Sequence, residues 1–406
     1  MKIDAPRLIA RLEQLGQVGS NAQGEGRTRL ALTKEDRLGR DLVATWMRET
    51  GGEVAVDSIG NIHCVLHGQT EDPPVMTGSH IDTVRRAGAL DGCYGVIAGI
   101  EVLDAIAKTG VSPRKTLVVS AFTNEEGVRY MPDLLGSRVM TKEMSLDHAM
   151  HLISTDGQRF GEELEHIGYA GEIAPWAWLP GMFVELHIEQ GPILDTKGIT
   201  IGVVEGVQGY SWWKVSVTGR ANHAGTTPMT MRLDAGTAAM ALIRGITERA
   251  AASQVPAVAT VGTFSVEPGS INVVPGKATF TVDMRDPDDR KLARAEDDLR
   301  DALAALEEEG FQVSATCTAR NQAVKFSTAL CEQIETLASA RSLSTIRMVS
   351  GASHDAQMMA RVCPTAMIFV PSREGISHNP REFSEPEHLT AGADVLLDTL
   401  AELVEA

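Results

Sequence analysis

The sequence lacks the cysteine patterns of a disulfide-linked protein or of a zinc site built from thiolates. Its five cysteines are odd in number and scattered along the 406 residues, and no two of them form a CxxC pair. Disulfide frameworks and thiolate zinc sites use cysteines at characteristic spacings. We therefore expect reduced thiols in a cytoplasmic protein.

Long apolar runs, a secretory signal and an excess of positive charge are missing as well. The longest apolar stretches are much shorter than the roughly 20 residues that a membrane helix needs. The opening stretch, MKIDAPRLIARLEQLG, has the pattern of an amphipathic helix and lacks the charged start, apolar middle and cleavage site of a secretory signal. The formal net charge of −17 argues against nucleic acid and anionic membrane surfaces as partners.

What is present indicates two domains. The chain has 406 residues, of which 43% are apolar, and this is too long for one ordinary core. Strand and helix patterns alternate in the first half, which is typical of an α/β sheet covered by helices. Residues 211–327 instead show the order β-α-β-β-α-β of a ferredoxin-like unit. We predict a larger α/β domain, residues 1–210 and 328–406, that is interrupted by this inserted domain.

Acidic and histidine side chains cluster where several of the predicted strands end. Five stretches carry them: VMTGSHIDTV, GALDGCYGV, AFTNEEG, VELHIEQGP and GISHNP. The side chains concerned are His80, Asp82, Asp91, Glu125, Glu126, His187, Glu189, Gln190 and His378. Ligands of open α/β sheets bind beyond the carboxyl ends of the strands, so this pattern predicts a binding site there.

The mixture of imidazole and carboxylate groups favours a divalent metal such as Zn²⁺, Mn²⁺ or Co²⁺. Two metals about 3.5–4 Å apart need a shared carboxylate, and Asp91 in its glycine-rich turn suits that role. Adjacent side chains of an extended chain point to opposite sides. One of Glu125 and Glu126 could therefore bind metal while the other acts as a general base. Taken singly, His80 could equally be a hydrogen-bonded strand-end residue, and His187 a core histidine.

Eight stretches together resemble a known family: GSHIDTV, LDGCYGV, TNEEG, ELHIEQGP, NHAGTTPM, INVVPG, SGASHDA and GISHNP. They are similar to the di-metal amidohydrolases related to aminoacylases and bacterial carboxypeptidases. Within these, the chain looks most like the hydantoinase/carbamoylase group of N-carbamoyl-L-amino-acid hydrolases, allantoate amidohydrolases and bacterial β-ureidopropionases. The resemblance covers essentially the whole chain. It implies a di-metal aminopeptidase-like catalytic domain and a ferredoxin-like lid, residues 211–327, through which a homodimer forms.

The resemblance also implies two divalent metal ions per subunit, with zinc as the default and manganese, cobalt or nickel as alternatives. One ion would be held by His80, Asp91 and His187, and the other by Asp91, Glu126 and His378. Asp82 would orient His80 through its ring nitrogen. Glu125 would act as the general base and then pass the proton to the leaving nitrogen.

The remaining roles implied by the resemblance concern the substrate. Gln190 would contact the ureido end, and His223 would reach the partner subunit's active site and stabilise the oxyanion. Asn272 and Arg285 would hold the substrate carboxylate. Gly351, Ala352 and His354 would line the pocket. Ser353 stands where relatives usually have Gly or Ala, which leaves the substrate preference open.

The expected activity is hydrolysis of the ureido C–N bond of an N-carbamoyl-L-amino acid to the L-amino acid, CO₂ and ammonia. Allantoate amidohydrolase and β-ureidopropionase are alternatives that the same motifs would serve. Peptidase or deacetylase activity fits the HIEQGP stretch less well. A non-catalytic binding dimer would be expected to have lost Glu125 or a metal ligand, and all are present. A metal-free hydrolase would need a serine or cysteine nucleophile setting that TNEEG lacks.

Overall fold

The computed structural model describes residues 1–20, 24–253 and 257–406. The chain forms two compact units. The first unit comprises Met1–Glu205 and Lys325–Ala406, and the second comprises Gly206–Val324. Among the described residues, no helix is long and apolar enough to cross a membrane.

The strands and helices alternate along much of the chain. The strands are β1 (Glu53–Val56), β2 (Ile62–Leu66), β3 (Val75–His80), β4 (Leu117–Phe122), β5 (Met182–Ile188), β6 (Ile201–Val207), β7 (Gly209–Thr218), β8 (Asn222–His223), β9 (Val258–Thr260), β10 (Phe264–Glu267), β11 (Val273–Val274), β12 (Lys277–Asp286), β13 (Gln312–Asn321), β14 (Val324–Lys325), β15 (Thr345–Ser350) and β16 (Thr365–Val370). The helices are α1 (Ala5–Gln17), α2 (Lys34–Glu49), α3 (Cys93–Ala107), α4 (Leu135–Met140), α5 (Leu146–Met150), α6 (Phe160–His166), α7 (Ile193–Lys197), α8 (Ala235–Ala252), α9 (Asp289–Glu308), α10 (Thr328–Ala340), α11 (Asp355–Met359) and α12 (Pro386–Glu405).

The first unit is built on a mixed sheet with the strand order β1-β2-β4-β3-β5-β16-β6. Its centre is parallel: β3 pairs with β4 and β5, and β5 pairs with β16, all in one direction. Strands β3, β4 and β16 are buried at every residue, as expected for parallel strands covered on both faces. Because these strands run together, their carboxyl ends lie at one edge of the sheet, where the expected site residues follow them.

Helix α3 explains how this sheet is covered. Its sequence, CYGVIAGIEVLDAIA, is apolar nearly all round, and 13 of its 15 residues are buried. It packs against β3, β4 and β5 and against helices α1 and α12. Its amino end, immediately after Asp91, therefore lies in the interior of the unit.

The second unit is an antiparallel sheet in the order β10-β12-β7-β13, with β9 also paired to β12. Residues alternate along β12, so that Ala278, Phe280, Val282 and Met284 are buried in one core with side chains of α8 and α9. The stretch AVATVGTFSVEPGS, residues 257–270, is divided between two strands, β9 and β10. Between them, the N–H of Thr263 donates to the hydroxyl of Thr281 at 3.1 Å, while the carbonyl of Thr263 accepts the N–H of Thr281 at 3.2 Å, so only one of the two bonds joins backbone to backbone.

Candidate metal centre

Three parallel strands and two loops place the expected ligands in the first unit. His80 is the last residue of β3, and His187 is the penultimate residue of β5. Glu126 follows β4, Asp91 precedes α3, and His378 lies in the loop after β16. The five side chains come together as two groups, and each group has its potential ligand atoms within 4.8 Å of one another.

The first group consists of His80, Asp91 and His187. Nε2 of His80 lies 3.7 Å from Oδ1 of Asp91, and Nε2 of His187 lies 3.2 Å from the same oxygen. The Nδ1 atoms of the two rings contact backbone carbonyls, of Asp82 at 2.9 Å and of Ile188 at 2.8 Å. These contacts fix the rings with Nε2 directed at Asp91, which is the orientation that a metal-binding histidine needs.

The second group consists of Asp91, Glu126 and His378. Nε2 of His378 lies 2.9 Å from Oδ2 of Asp91 and 3.5 Å from Oε2 of Glu126. Asp91 thus turns Oδ1 to the first group and Oδ2 to the second. A nitrogen and oxygen donor set that shares one carboxylate fits two divalent cations of the zinc and manganese class.

The electrostatics of the groups match a site for positive charge. Burial, together with the charge of Asp91, raises the pKa of Glu126 to about 8. The hydrogen bond to Asp91 raises the pKa of His378 to about 9. Burial acts to raise the pKa of Asp91, but its three histidine partners bring it well below the usual range. Protons on these groups offset the negative charge of the neighbouring carboxylates. A bound cation would take the place of these protons.

Glu125 lies beside the groups without belonging to either. Only 6% of it is exposed, and its Oε2 is 3.4 Å from Nε2 of His80. Burial raises the pKa of its carboxyl well above the usual range. Glu125 therefore contacts His80, whereas Glu126 contacts His378. Separate contacts are what we expect if Glu125 is the base and Glu126 is a metal ligand.

Asp82 contacts His80 and the loop of the two glutamates through different atoms. Its backbone carbonyl, and not its carboxylate, accepts the hydrogen bond from Nδ1 of His80, from which the carboxylate Oδ1 is 3.9 Å away. The carboxylate instead accepts the backbone N–H groups of Glu125 at 3.1 Å and Glu126 at 3.2 Å. A carboxylate accepts stronger hydrogen bonds from N–H donors than a carbonyl does. The carboxylate of Asp82 therefore holds the loop that carries the two glutamates.

Several residues of the site have left-handed backbone conformations. Asn124, Gln190 and His378 have φ angles of 56°, 58° and 52°. Such conformations cost non-glycine residues free energy, and they persist where the surrounding contacts impose them. Their concentration around the two groups is typical of a functional site.

Gly92 also has a positive φ, 65°, and it lies against the ring of His80. A Cβ at this position would be 2.4 Å from Cδ2 and Nε2 of His80. We expect Gly92→Ala to displace this ring and to lower metal affinity about 10–100-fold, the usual cost of disturbing the support of a ligand. Gly110→Ala is the matched control, because φ is 71° there and no atom lies within 4 Å. Equal metal contents of the two purified variants would contradict the expectation.

Two of the expected substrate residues of the first unit, Gln190 and His354, contact candidate metal ligands. Nε2 of Gln190 donates to Oδ2 of Asp91 at 3.0 Å. His354 is 2% exposed, its ring centroid is 4.6 Å from that of His187, and its Nε2 is 2.9 Å from the Ser350 hydroxyl. Burial lowers the pKa of His354 well below the usual range. Gly351 is exposed and Ala352 is half-buried in the turn before it.

His223, Asn272 and Arg285 belong to the second unit. His223 is exposed on β8, which pairs with β11, and the N–H of the next residue donates to the carbonyl of Asn272 at 3.0 Å. These two residues are therefore neighbours. Arg285 lies on β12, where its guanidinium pairs with Asp283 at 2.9 Å and stacks 5.7 Å from the ring centre of Tyr210.

Glu382 also contacts the site, although it was not identified as a site residue from the sequence. Its Oε1 accepts the N–H groups of Leu90 and Asp91 at 2.8 and 3.2 Å, and its Oε2 accepts the hydroxyl of Ser377 at 2.8 Å. It thus joins the Asp91 turn to the loop of His378. The only signal was an acidic residue four positions after His378, which surface loops also show.

The chain is similar over its whole length to several known proteins. Residues 76–402 match peptidase family M20/M25/M40. An N-carbamoyl-L-amino-acid amidohydrolase of Rhizobium meliloti is 37% identical and aligns over 100% of this chain and 97% of its own. An allantoate amidohydrolase of Bacillus subtilis is 34% identical over 97% of this chain and 96% of its own. A hydantoinase/carbamoylase family amidase from Burkholderia multivorans superposes with a TM-score of 0.96 at 38% identity, covering 100% and 99% of the two chains.

These findings confirm the α/β fold class and the resemblance that the motifs indicated. The chain belongs to peptidase family M20/M25/M40 and, within it, to the hydantoinase/carbamoylase amidases.

Proposed function

We propose that this protein hydrolyses the ureido C–N bond of N-carbamoyl-L-amino acids and releases the L-amino acid, CO₂ and ammonia. The observation that carries the proposal is the position of Glu125, a buried carboxyl beside two histidine–carboxylate groups that share Asp91. The family is hydrolytic, and its hydrolases use divalent metals. Relatives of nearly equal length are N-carbamoyl-L-amino-acid amidohydrolases.

Two divalent cations fit the donor sets. His80, Asp91 and His187 would hold one, and Asp91, Glu126 and His378 the other. When bound, such cations supply positive charge that polarises the substrate carbonyl and makes water more acidic. Zinc is the default for these donors, and manganese, cobalt and nickel are accepted by the same atoms.

Glu125 would perform the proton transfers. Its carboxylate takes a proton from the attacking water, whose oxygen bonds to the carbamoyl carbon, and then gives that proton to the amino-acid nitrogen as the bond between this nitrogen and the carbamoyl carbon breaks. The amino acid leaves, and the remaining carbamate decomposes to CO₂ and ammonia. Burial raises the pKa of the Glu125 carboxyl, which makes it a stronger base than an exposed glutamate. The backbone bonds from Glu125 and Glu126 to Asp82 hold the loop in place while the proton moves.

The substrate contacts extend the proposal to both units. In the first unit, Gln190 would contact the ureido group, and Gly351, Ala352 and His354 would line the pocket. In the second unit, His223 would stabilise the oxyanion in the partner subunit of a homodimer formed through residues 211–327. Asn272 and Arg285 would bind the substrate carboxylate. Asp283 and Tyr210 contact the guanidinium of Arg285 and hold it in one orientation.

Hydrolysis of allantoate is the second candidate, favoured by the allantoate amidohydrolase that is 34% identical over nearly the full chain. Allantoate also carries ureido groups and a carboxylate, so the same metal and Gln190 contacts would serve it. β-Ureidopropionase activity would use these contacts with a longer distance between the carboxylate and the ureido nitrogen.

Ammonia release from a panel of substrates tests the proposal. Protein reconstituted with Mn²⁺, Zn²⁺ or Co²⁺ is offered N-carbamoyl-L-methionine, its D-enantiomer, allantoate and 3-ureidopropionate, and N-acetyl-L-methionine is followed by amine release. We expect release from the L-carbamoyl compound and little from the D-enantiomer, because with the carboxylate and the ureido group held at fixed points only one configuration directs the side chain into the pocket. The Glu125→Gln protein is the control for contaminating activity.

The panel also identifies the alternatives. A dominant signal from allantoate would keep the proposed chemistry and change the substrate. Release of amine from N-acetyl-L-methionine alone would make the protein a deacetylase. If protein with both metals bound released no ammonia from any ureido compound, the proposed function would be wrong.

A further inference from the structure

The backbone of the loop that carries Glu125 is held from one side by the segment leading into α4. Leu134 donates its N–H to the carbonyl of Glu125 at 2.8 Å. Gly136 donates its N–H to the carbonyl of Thr123, also at 2.8 Å. The loop at 123–125 and the segment at 134–136 are therefore joined like two short strands.

The side chain of Asn61 completes this ladder. Its Oδ1 accepts the N–H of Thr123 at 2.9 Å, and its Nδ2 donates to the carbonyl of Gly136 at 3.3 Å. The amide thus takes the place of a backbone peptide group between the two segments. The fit is close, because a Cβ added at Gly136 would be 2.2 Å from Oδ1 of Asn61.

A chain of buried hydrogen bonds holds Asn61 in turn. Its Nδ2 donates to Oδ2 of Asp57 at 2.9 Å, and the same oxygen lies 3.3 Å from Nε2 of His63. Nδ1 of His63 lies 2.8 Å from the hydroxyl of Ser120 on β4. With a proton on Nε2, His63 donates to Asp57 and accepts from Ser120, so each contact has a donor and an acceptor.

The contacts run from Ser120 through His63 to Asp57, as in a serine-hydrolase triad, but the exposed fraction of each residue is 0%. No substrate can reach the hydroxyl of Ser120, so this residue does not act as a nucleophile. The chain of hydrogen bonds connects β4 and β2, through Asn61, to Thr123, two residues before Glu125. A fully buried polar chain is costly unless each member is paired, and its pairing gives it a single rigid arrangement.

We propose that Asn61, held by Asp57, His63 and Ser120, is a positioning residue that sets where Glu125 stands during hydrolysis. Asn61 touches neither substrate nor the candidate metal ligands in the contacts described above, and it acts through the backbone of Thr123. A misplacement of about 1 Å at a catalytic group can lower a rate about 10²-fold. The catalytic part of this inference rests on the proposed function.

The first test is Asn61→Asp. The new carboxylate would face Oδ2 of Asp57 and lose both donor contacts of the amide. We expect kcat at saturating metal to fall about 10–100-fold, with KM changed by less than about twofold, because the loop moves and the substrate contacts stay. Asn61→Ala, which adds no charge, replaces this variant if Asn61→Asp does not fold.

The decisive variant exchanges the two side chains, Asp57→Asn combined with Asn61→Asp. The amide at position 57 can donate to the carboxylate at position 61 and to Nε2 of His63, whose Nδ1 then donates to Ser120. Oδ1 at position 61 still accepts the N–H of Thr123. The donor contact to the carbonyl of Gly136 is not restored, so the recovery is expected to be partial. We expect the double variant to recover at least about tenfold in kcat over Asn61→Asp, which is the coupling that a double-mutant cycle measures.

Hydrogen exchange of the peptide 117–135 gives a readout without turnover. Asn61→Asp is expected to speed exchange in this peptide at least about tenfold, and the exchanged pair to restore protection. The control is Thr399→Val, which removes a fully buried hydroxyl that bonds to Val395 within α12. It should leave kcat and this peptide unchanged.

The outcomes are distinct. Wild-type kcat and wild-type exchange in Asn61→Asp, or no recovery in the double variant, would overturn the inference. If the wild-type protein hydrolyses no ureido compound, the proposed function fails, whereas the exchange data still decide whether Asn61 holds the loop.

Discussion

Replacing Glu125 by Gln is expected to remove most of the turnover while both metals stay bound. Glutamine keeps the size of the side chain but cannot take a proton from water at neutral pH, and a general base contributes about 10²–10⁴-fold to a rate. Oε2 of Glu125 is 3.4 Å from Nε2 of His80, yet Glu125 belongs to neither group of potential ligands. We therefore expect kcat to fall by about that factor at unchanged metal content, measured by ammonia release and by elemental analysis.

The neighbouring glutamate provides the matched control. Glu126→Gln changes the same kind of side chain one residue further on, but Glu126 contacts His378 and shares a ligand group with Asp91. This variant should lose metal from one site, and excess metal should restore part of its activity. If Glu125→Gln also lost metal, or kept its turnover, the division of roles between the two glutamates would be wrong.

Asp91→Ala is expected to remove both metals. One oxygen of Asp91 faces His80 and His187, and the other faces His378. Without the shared carboxylate neither group keeps three ligands, and we expect the metal content to fall from two ions per subunit to none. Activity should fall about 10³-fold or more, because bound metal contributes several kcal/mol to transition-state stabilisation.

Two further variants make this result specific. His378→Ala removes a ligand of the second group only, so it should leave about one metal per subunit. Asp147→Ala removes a carboxylate whose side chain is 90% exposed, and it should change nothing. Two metals retained in Asp91→Ala would exclude a bridging role, and one retained would assign Asp91 to a single site.

The site could be predicted from the sequence to the extent that it follows from strand direction. Apolar runs that end in His80 and just before Glu126 indicated strands, and parallel strands bring such ends to one edge. The roles of the ligands stay predictions, which the metal contents of the variants above test. The hydrogen bonds behind the ligands could not be predicted. Whether Asp82 uses its carbonyl or its carboxylate depends on the path of the loop and not on the residue type.

The same limit applies to Glu382 and Asn61. An acidic residue in a loop and an asparagine before a strand are common in turns, and their local sequences favour that ordinary reading. Only the fold brings Glu382 to the Asp91 turn and Asn61 to Thr123. The division between β9 and β10 is equally hard to predict, since β-propensity does not show where a ladder is interrupted.

The sheet order has a consequence for how the protein is made. Strand β16 lies between β5 and β6, although the ribosome synthesises it only after the whole second unit. Until then β5 and β6 each have an unpaired edge in the nascent chain. Unpaired strand edges are sites where chains aggregate. His378, which completes the second ligand group, emerges later still. We therefore expect the sheet to be open to association with other chains until β16 is in place, and the second ligand group to form last.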